Sequence, residues 1–223
     1  MDLINFADST IYQSADGQLI GDGMIFSGYK NRHLGAIHTF QLPHGWRVAS
    51  TSFSHGGEWM LTTFSPIANP KIELRVFCRG DKVSISDATY FSTLLKQASQ
   101  HVIALKSEHI VALRNVLGPT VGDNQYVNLN PPKSRYAARC NLLQGRVLNV
   151  QQRPVMMIEG LFNAHNEEEV TKFLNVYINV NKGGQELQEV FFQAPLMAYQ
   201  SYYRQVRIAL ESIKWFDSQA LTG

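Results

Sequence analysis

The fold of this chain is decided by one stretch, Asn175 to Trp215, which reads NVYINVNKGGQELQEVFFQAPLMAYQSYYRQVRIALESIKW. Apolar residues alternate with polar ones up to Val180, two glycines follow, and a second apolar run extends from Leu187 to Ala194. Glycines between such runs are typical of a tight hairpin turn, because glycine tolerates positive φ. The stretch therefore predicts two antiparallel strands, the second apolar enough to be buried on both faces.

A helix is predicted to follow this hairpin. Pro195 ends the second strand, since it has no N–H to donate, and it suits the first turn of a helix. Beyond it, apolar and aromatic side chains recur at i, i+3 and i+4 spacing, which predicts one packed face. That face consists of Tyr199, Tyr202, Val206, Ala209, Leu210 and Ile213. Tyr203 lies at its edge, where we expect partial exposure.

Earlier segments predict further strands, because short alternating or apolar runs are bounded by glycine and proline. Such runs cover residues 37–42, 46–53, 59–64, 71–78 and 155–162. Residues 141–150 are predicted to contain a turn as well as a strand. Within residues 71–78 apolar positions alternate with charged ones, which predicts a half-buried antiparallel strand.

Two helices are predicted between these strands. Ser86 and Asp87 can cap a helix that starts near Ala88. Ser107 is the predicted N-cap of a second helix, which ends at Gly118. Strands in runs, two inserted helices and a closing helix are typical of an α+β fold, with a mainly antiparallel β-sheet flanked by helices and the C-terminal helix packed on the sheet. We expect a single domain over residues 1–223, in which residues 1–35 form an N-terminal arm or short strands and residues 36–223 the main body.

Three segments carry a resemblance to a known superfamily. They are LQEVFFQAP at residues 187–195, ALESIKW at residues 209–215 and FQLPHGW at residues 40–46. The pattern resembles the PsbP-like α/β/α sandwich, which includes photosystem II extrinsic subunits, a Ran-binding nuclear import factor and small bacterial chaperones of type VI secretion effectors. The resemblance implies this sandwich fold, with residues 88–118 as an insertion. It also implies a protein that binds other proteins without catalysis, and it assigns no site residue.

Composition narrows the class of protein. The chain has 223 residues and a hydrophobic fraction of 44%, which are ordinary for a globular protein. Its net charge of +2 gives no reason to expect nucleic acid or an acidic membrane as partner. It has two cysteines, Cys78 and Cys140, which we expect to be unpaired thiols. The N-terminus lacks a signal-peptide pattern and no run of 18 apolar residues occurs, so we expect a cytoplasmic protein without membrane insertion.

No motif in the sequence carries recognisable catalytic or ligand-binding chemistry. The densest histidine group, His33, His38, His44 and His55, fits no metal-ligand spacing. Cys140 as a nucleophile and Asp123 as a base or cation ligand are isolated candidates, and a structural or loop role is the commoner one for each. We therefore expect no cofactor and no metal, and we assign no catalytic residue.

One charge feature indicates a partner-binding surface. Between Asp123 and Glu159 no acidic residue occurs. The predicted partner-binding residues are the cations and the tyrosine of this stretch together with Tyr203: Lys133, Arg135, Tyr136, Arg139, Arg146, Arg153 and Tyr203. In the alternative interpretation, the alternation of side chains along the strands places these cations on both faces of the sheet, so that they form no single surface.

The favoured hypothesis is a non-enzymatic protein-interaction module: a chaperone, adaptor or accessory subunit of a larger bacterial assembly such as a secretion system. One alternative is a hydrolase-type enzyme or secreted effector with a site of dispersed residues. Another is a nucleic-acid binder that uses the basic region 133–153.

Overall fold

The computed structural model describes residues 3–5, 25–27, 35–53, 60–98, 101–117, 139–163, 170–180 and 184–216. In chain order the strands are β1 (Leu3–Asn5), β2 (Ile25–Ser27), β3 (Ile37–Gln41), β4 (Trp46–Phe53), β5 (Met60–Pro66), β6 (Glu73–Lys82), β7 (Ile103–Ala104), β8 (Arg139–Val150), β9 (Arg153–Asn163), β10 (Thr171–Asn179), β11 (Glu186–Pro195) and β12 (Lys214–Trp215). The helices are α1 (Ile85–Gln97), α2 (Ser107–Ala112), α3 (Arg114–Leu117) and α4 (Leu196–Glu211).

Eight of the described strands form one antiparallel sheet in the order β4-β5-β6-β11-β10-β9-β8-β7. A smaller sheet has the order β1-β2-β3-β12, in which β1 and β2 are parallel. Because β11 lies between β6 and β10, the hairpin predicted from residues 175–194 occupies the middle of the large sheet. The predicted α+β class, with an antiparallel sheet and a C-terminal helix packed on it, is confirmed.

One face of the large sheet, called here the α4 face, is covered by α4 and by β3 of the small sheet. Tyr199, Val206, Ala209 and Leu210 of α4 are buried there in one apolar cluster. The sheet contributes alternate residues of its strands to this cluster, including Leu74, Val76, Val190 and Phe192. The helical stripe predicted from the sequence is thus confirmed as core.

The opposite face is covered by α1, α2 and α3, called here the helical layer. Buried residues of this layer include Phe91, Leu95, Leu113 and Val116. They pack on residues of the central strands such as Phe173 and Phe191. The half-buried strand predicted over residues 71–78 is confirmed for its apolar side, since Ile72, Leu74, Val76 and Cys78 are buried, and Glu73 and Arg75 are partly exposed. The polar side is wrong at Arg79, because the helical layer covers that end of the strand, where Phe77 and Arg79 are each 7% exposed.

The turn predicted within residues 141–150 is also wrong. Strand β8 runs unbroken through Gly145, with an irregularity in its pairing to β9 between Leu142 and Gln144. A Cβ at position 145 would lie 2.8 Å from the Ile158 Cδ1 atom, so a larger residue there would need that side chain to shift. The turn lies instead at Gln151 and Gln152, which both have positive φ, 47° and 66°.

The helix starts differ slightly from prediction. Helix α1 begins at Ile85 with Ser84 as its N-cap, whose Oγ accepts a hydrogen bond from the Asp87 N–H at 3.2 Å. Helix α2 begins at Ser107 itself, with Lys106 as the N-cap residue. Each helix therefore starts one to three residues earlier than the sequence indicated, within the usual uncertainty of helix ends.

Candidate functional site

Four elements bring polar side chains together at one end of the α4 face. In the β8–β9 pair, Gln144 lies opposite Glu159 and Arg146 lies opposite Met157, so all four side chains project from the same face. Strand β10 and helix α4 add a lysine and two tyrosines. The group, called here the Glu159 cluster, consists of Gln144, Arg146, Glu159, Lys172, Tyr199 and Tyr203.

The Glu159 carboxylate is buried, with 6% of the residue exposed, and each of its oxygens has a donor. Lys172 Nζ lies 3.1 Å from Oε2, and Gln144 Nε2 donates to Oε1 at 2.9 Å. Arg146 Nη2 lies 3.8 Å from Oε1, beyond hydrogen-bond distance. Lys172 thus compensates the buried charge, and Arg146 adds a second positive charge beside it.

Two stacked tyrosines form the wall of the cluster on the α4 side. The rings of Tyr199 and Tyr203 are parallel within 12°, with centroids 5.5 Å apart. Lys172 Nζ lies 4.5 Å from the Tyr199 ring centroid, a cation–π geometry. Tyr199 is 3% exposed, and burial, reinforced by Glu159 and Tyr203, raises the pKa of its hydroxyl well above the ordinary value. Tyr203 is the partly exposed member of the pair, as predicted.

The structure brings two of the sequence-predicted residues, Arg146 and Tyr203, into this one cluster. Arg153 lies on the same face but about 13 Å further along the strands, four residues from Arg146 in register. Its guanidinium lies 5.1 Å from the Trp215 ring centroid and donates to the Asn179 carbonyl oxygen. Arg153 therefore connects β12 to the large sheet, and burial lowers its pKa.

The other predicted residues cannot be placed in the site. Lys133, Arg135 and Tyr136 lie outside the described residues, and for Arg139 only the backbone in β8 is described. The same holds for the residues that the enzymatic alternative would use. Asp123 lies outside the described residues, and so does the side chain of Cys140.

Four members of the cluster were missed as site residues: Gln144, Glu159, Lys172 and Tyr199. Glu159 carried the clearest signal, because it is a lone acid within the apolar strand pattern of residues 155–162. A charged residue in such a position is buried only when it is paired. Glu159 is also the acid that closes the acid-free stretch from which the basic surface was predicted.

A second buried polar group lies on the opposite face, beneath the helical layer. Glu189 is fully buried, with Arg79 Nη1 3.5 Å from its Oε1 and Asn175 Nδ2 donating to its Oε2 at 2.6 Å. Arg79 Nη1 also donates to the Val116 carbonyl oxygen at 2.7 Å, and the Tyr177 hydroxyl donates to the Leu117 carbonyl oxygen at 3.0 Å. The group therefore holds the carboxyl end of α3 on the sheet.

A buried glutamine, Gln188, joins the two sheets by hydrogen bonds. Gln188 Oε1 accepts from the N–H of Ala36 at 2.7 Å and from that of Ile37 at 3.2 Å. The neighbouring thiol of Cys78 is buried, and burial raises its pKa to about 12. A buried thiol that keeps its proton is a poor nucleophile, and such a position is typical of a structural cysteine.

Within the described part of the chain, no three or more His, Cys, Asp or Glu side chains are grouped so that they could hold a metal ion. No helix among the described residues is both long and apolar enough to cross a membrane.

Comparison with known proteins identifies a structure but no sequence relative. No protein-family profile and no curated protein sequence matches the chain. Among solved structures, the chain is similar to the solution structure of cyanobacterial PsbP (CyanoP) from Synechocystis sp. PCC 6803, with a TM-score of 0.49 and 11% identity. The alignment covers 90% of this chain and 96% of the cyanobacterial one. The similarity is a weak likeness of fold to a PsbP protein, the kind of fold that the sequence resembles, and it carries no statement about family or function.

Proposed function

We propose that the chain is a non-enzymatic protein-interaction module, an adaptor, chaperone or accessory subunit of a larger assembly, and that it contacts its partner through the start of α4 and the adjoining Glu159 cluster. The observation that supports this proposal is the presentation of Tyr203: a partly exposed tyrosine ring held in place by stacking on the buried ring of Tyr199. A tyrosine that is already ordered loses little entropy on binding and gives a large contact area.

Exposed apolar residues extend this surface along α4. Leu196, Tyr199 and Tyr203 follow one another at i, i+3 and i+7, so they lie on one side of the helix. Leu196 is 47% exposed and the adjacent Met197 is 94% exposed. Methionine is flexible and polarizable, which suits it to contacts with partners of varied shape. An ordered aromatic ring beside adaptable apolar groups is typical of the centre of a protein–protein interface.

Co-purification with a paired control tests the proposal. The tagged chain is expressed in its native host, and co-purifying proteins are identified and quantified by mass spectrometry. We expect a stoichiometric partner with the wild type, and its loss with Tyr203→Ala combined with Met197→Ser. Tyr90→Ala is the matched control, because Tyr90 is 37% exposed on α1 of the opposite layer. Recovery of the chain alone, or equal loss of the partner with the control, would contradict the proposal.

The cytoplasmic location and the bacterial secretion-system setting stay predictions of the sequence. The same purification addresses both, because it identifies the partner together with the compartment from which the complex is recovered.

A further inference from the structure

We infer that the partner presents a carboxylate, an aspartate or glutamate side chain next to an apolar or aromatic residue, and that the Arg146 guanidinium binds it. This inference rests on the proposed function and adds the chemical class of the partner's contact residue. It starts from the charges of the Glu159 cluster, where two cations surround one acid.

Of the two cations, Lys172 is committed to Glu159. Its ammonium is 3.1 Å from one carboxylate oxygen, its side chain is 22% exposed, and it also lies against the Tyr199 ring. Gln144 Nε2 occupies the other carboxylate oxygen at 2.9 Å. Glu159 is therefore satisfied without Arg146, and its negative charge is compensated once.

Arg146 is the cation that remains for a partner. Its side chain is 40% exposed, and Nη2 is 3.8 Å from Glu159 Oε1, too far for a hydrogen bond. The nearby carboxylate holds the guanidinium by charge without occupying its fork of N–H donors. Such a fork matches a carboxylate through two parallel hydrogen bonds. The ordered Tyr203 ring belongs to the same cluster, which Tyr199, Lys172 and Glu159 connect to Arg146, and it would contact the apolar neighbour of that carboxylate.

A carboxylate fits this site better than a phosphate. The site has one uncompensated positive charge, and the buried Glu159 carboxylate lies close enough to repel a group with two negative charges. Nucleic-acid binding draws its affinity from several phosphate contacts at once. Arg153, the next cation on this face, is engaged by Trp215 and by a backbone carbonyl and so does not extend the site.

Selection from a library of displayed short random peptides tests the inference without a known partner. We expect peptides selected on the wild type to be enriched in Asp or Glu adjacent to aromatic or apolar residues. Peptides selected on Arg146→Gln should keep the aromatic enrichment and lose the acidic one. Arg47→Gln removes an exposed arginine from β4, at the opposite edge of the sheet, and should select the same peptides as the wild type.

Affinity measurements then separate the inference from the proposed function. A selected acidic peptide and its twin with Asn or Gln in place of the acids are titrated by fluorescence anisotropy. We expect the twin to bind the wild type about tenfold more weakly, which corresponds to about 1.4 kcal/mol, and the two peptides to bind Arg146→Gln equally. Since Arg146 is partly exposed, the variant should keep the wild-type melting temperature, which excludes misfolding as the cause.

Each other result is decisive. Selected peptides that depend on Tyr203 but carry no acidic enrichment would overturn the inference and leave the proposed function standing. Failure to select any peptide, or peptides insensitive to both Tyr203→Ala and Arg146→Gln, would overturn both. Tight binding of labelled single-stranded DNA that is lost with Arg146→Gln would replace the carboxylate by a phosphate ligand and overturn the inference.

Discussion

The Arg79 guanidinium and the Glu189 carboxylate face each other 3.5 Å apart at the centre of the large sheet, with 7% and 0% of their side chains exposed. Burial raises the pKa of Glu189 to about 8, and the charge of Arg79 lowers it only in part. The acid therefore keeps its proton in the folded protein at pH values where it is ionised in the unfolded chain. This difference couples the stability of the fold to pH.

Glu189→Gln is expected to abolish one component of that pH dependence. Between pH values of about 4.5 and about 8 the folded wild type holds a proton that the unfolded chain has released. Its unfolding free energy should then fall as pH rises, by up to about 1.4 kcal/mol per pH unit, because the folded pKa is the higher one. Urea unfolding at three pH values in this range measures the slope. Glu211→Gln, at an exposed position on α4, should keep the wild-type slope. Equal slopes for Glu189→Gln and the wild type would show that the acid is ionised in the fold.

Tyr177→Phe is expected to loosen the helical layer. The substitution removes the donor to the Leu117 carbonyl and should cost about 1–2 kcal/mol, since a buried acceptor loses this partner. Hydrogen exchange followed by mass spectrometry should show faster exchange in residues 107–117 and unchanged exchange in α4. Tyr202→Phe, on α4, is the control. A uniform increase in exchange over both faces would contradict a local role for this hydrogen bond.

Gly184→Ala and Gly45→Ala separate two causes of destabilisation when glycine is replaced, backbone strain and steric overlap. Both residues have positive φ, 73° and 76°, so alanine strains the backbone at either site by roughly 1–2 kcal/mol. At 184 the new Cβ would also lie 2.9 Å from the Ala88 carbonyl oxygen of α1, whereas at 45 no atom lies within 4 Å. We expect Gly184→Ala to lower the melting temperature clearly more than Gly45→Ala. Equal shifts would mean that α1 moves away at little cost.

Gln188→Leu is expected to weaken the joint between the two sheets. Two buried N–H groups, those of Ala36 and Ile37, would lose their acceptor, at a cost of about 2–3 kcal/mol. Chemical denaturation gives the change in unfolding free energy, and Gln200→Leu on the exposed side of α4 is the control. If the unfolding free energy falls less in Gln188→Leu than in Gln200→Leu, another group accepts these hydrogen bonds.

The sequence predicted those elements whose pattern is local. The apolar run around Val190 and the helical stripe after Pro195 depend only on neighbouring residues, and both are confirmed in β11 and α4. The burial of Gln188 and Glu189 could not be predicted from such local patterns. They are polar residues within an apolar strand, and they are buried on opposite faces because partners distant in sequence, from Ala36 to Asn175, meet them there.

The candidate site was predicted in part for a similar reason. Arg146 and Tyr203 follow from charge and helical position, but their association through Glu159 depends on the register of β8 with β9. That register is set by the turn at Gln151 and Gln152, which lacks the glycine or asparagine that usually signals such a turn. With a turn expected earlier, within residues 141–150, the pairing of Gln144 with Glu159 could not be predicted.

The central position of β11 has a consequence for the synthesis of this protein. A ribosome releases β6 and β10 before the strand that joins them, and it releases β3 well before β12, with which β3 pairs. Until residues 186–195 are available, the nascent chain carries two unpaired strand edges, a state prone to aggregation. Completion of the large sheet therefore waits for β11, and until then the edges of β6 and β10 are open to pairing with other chains.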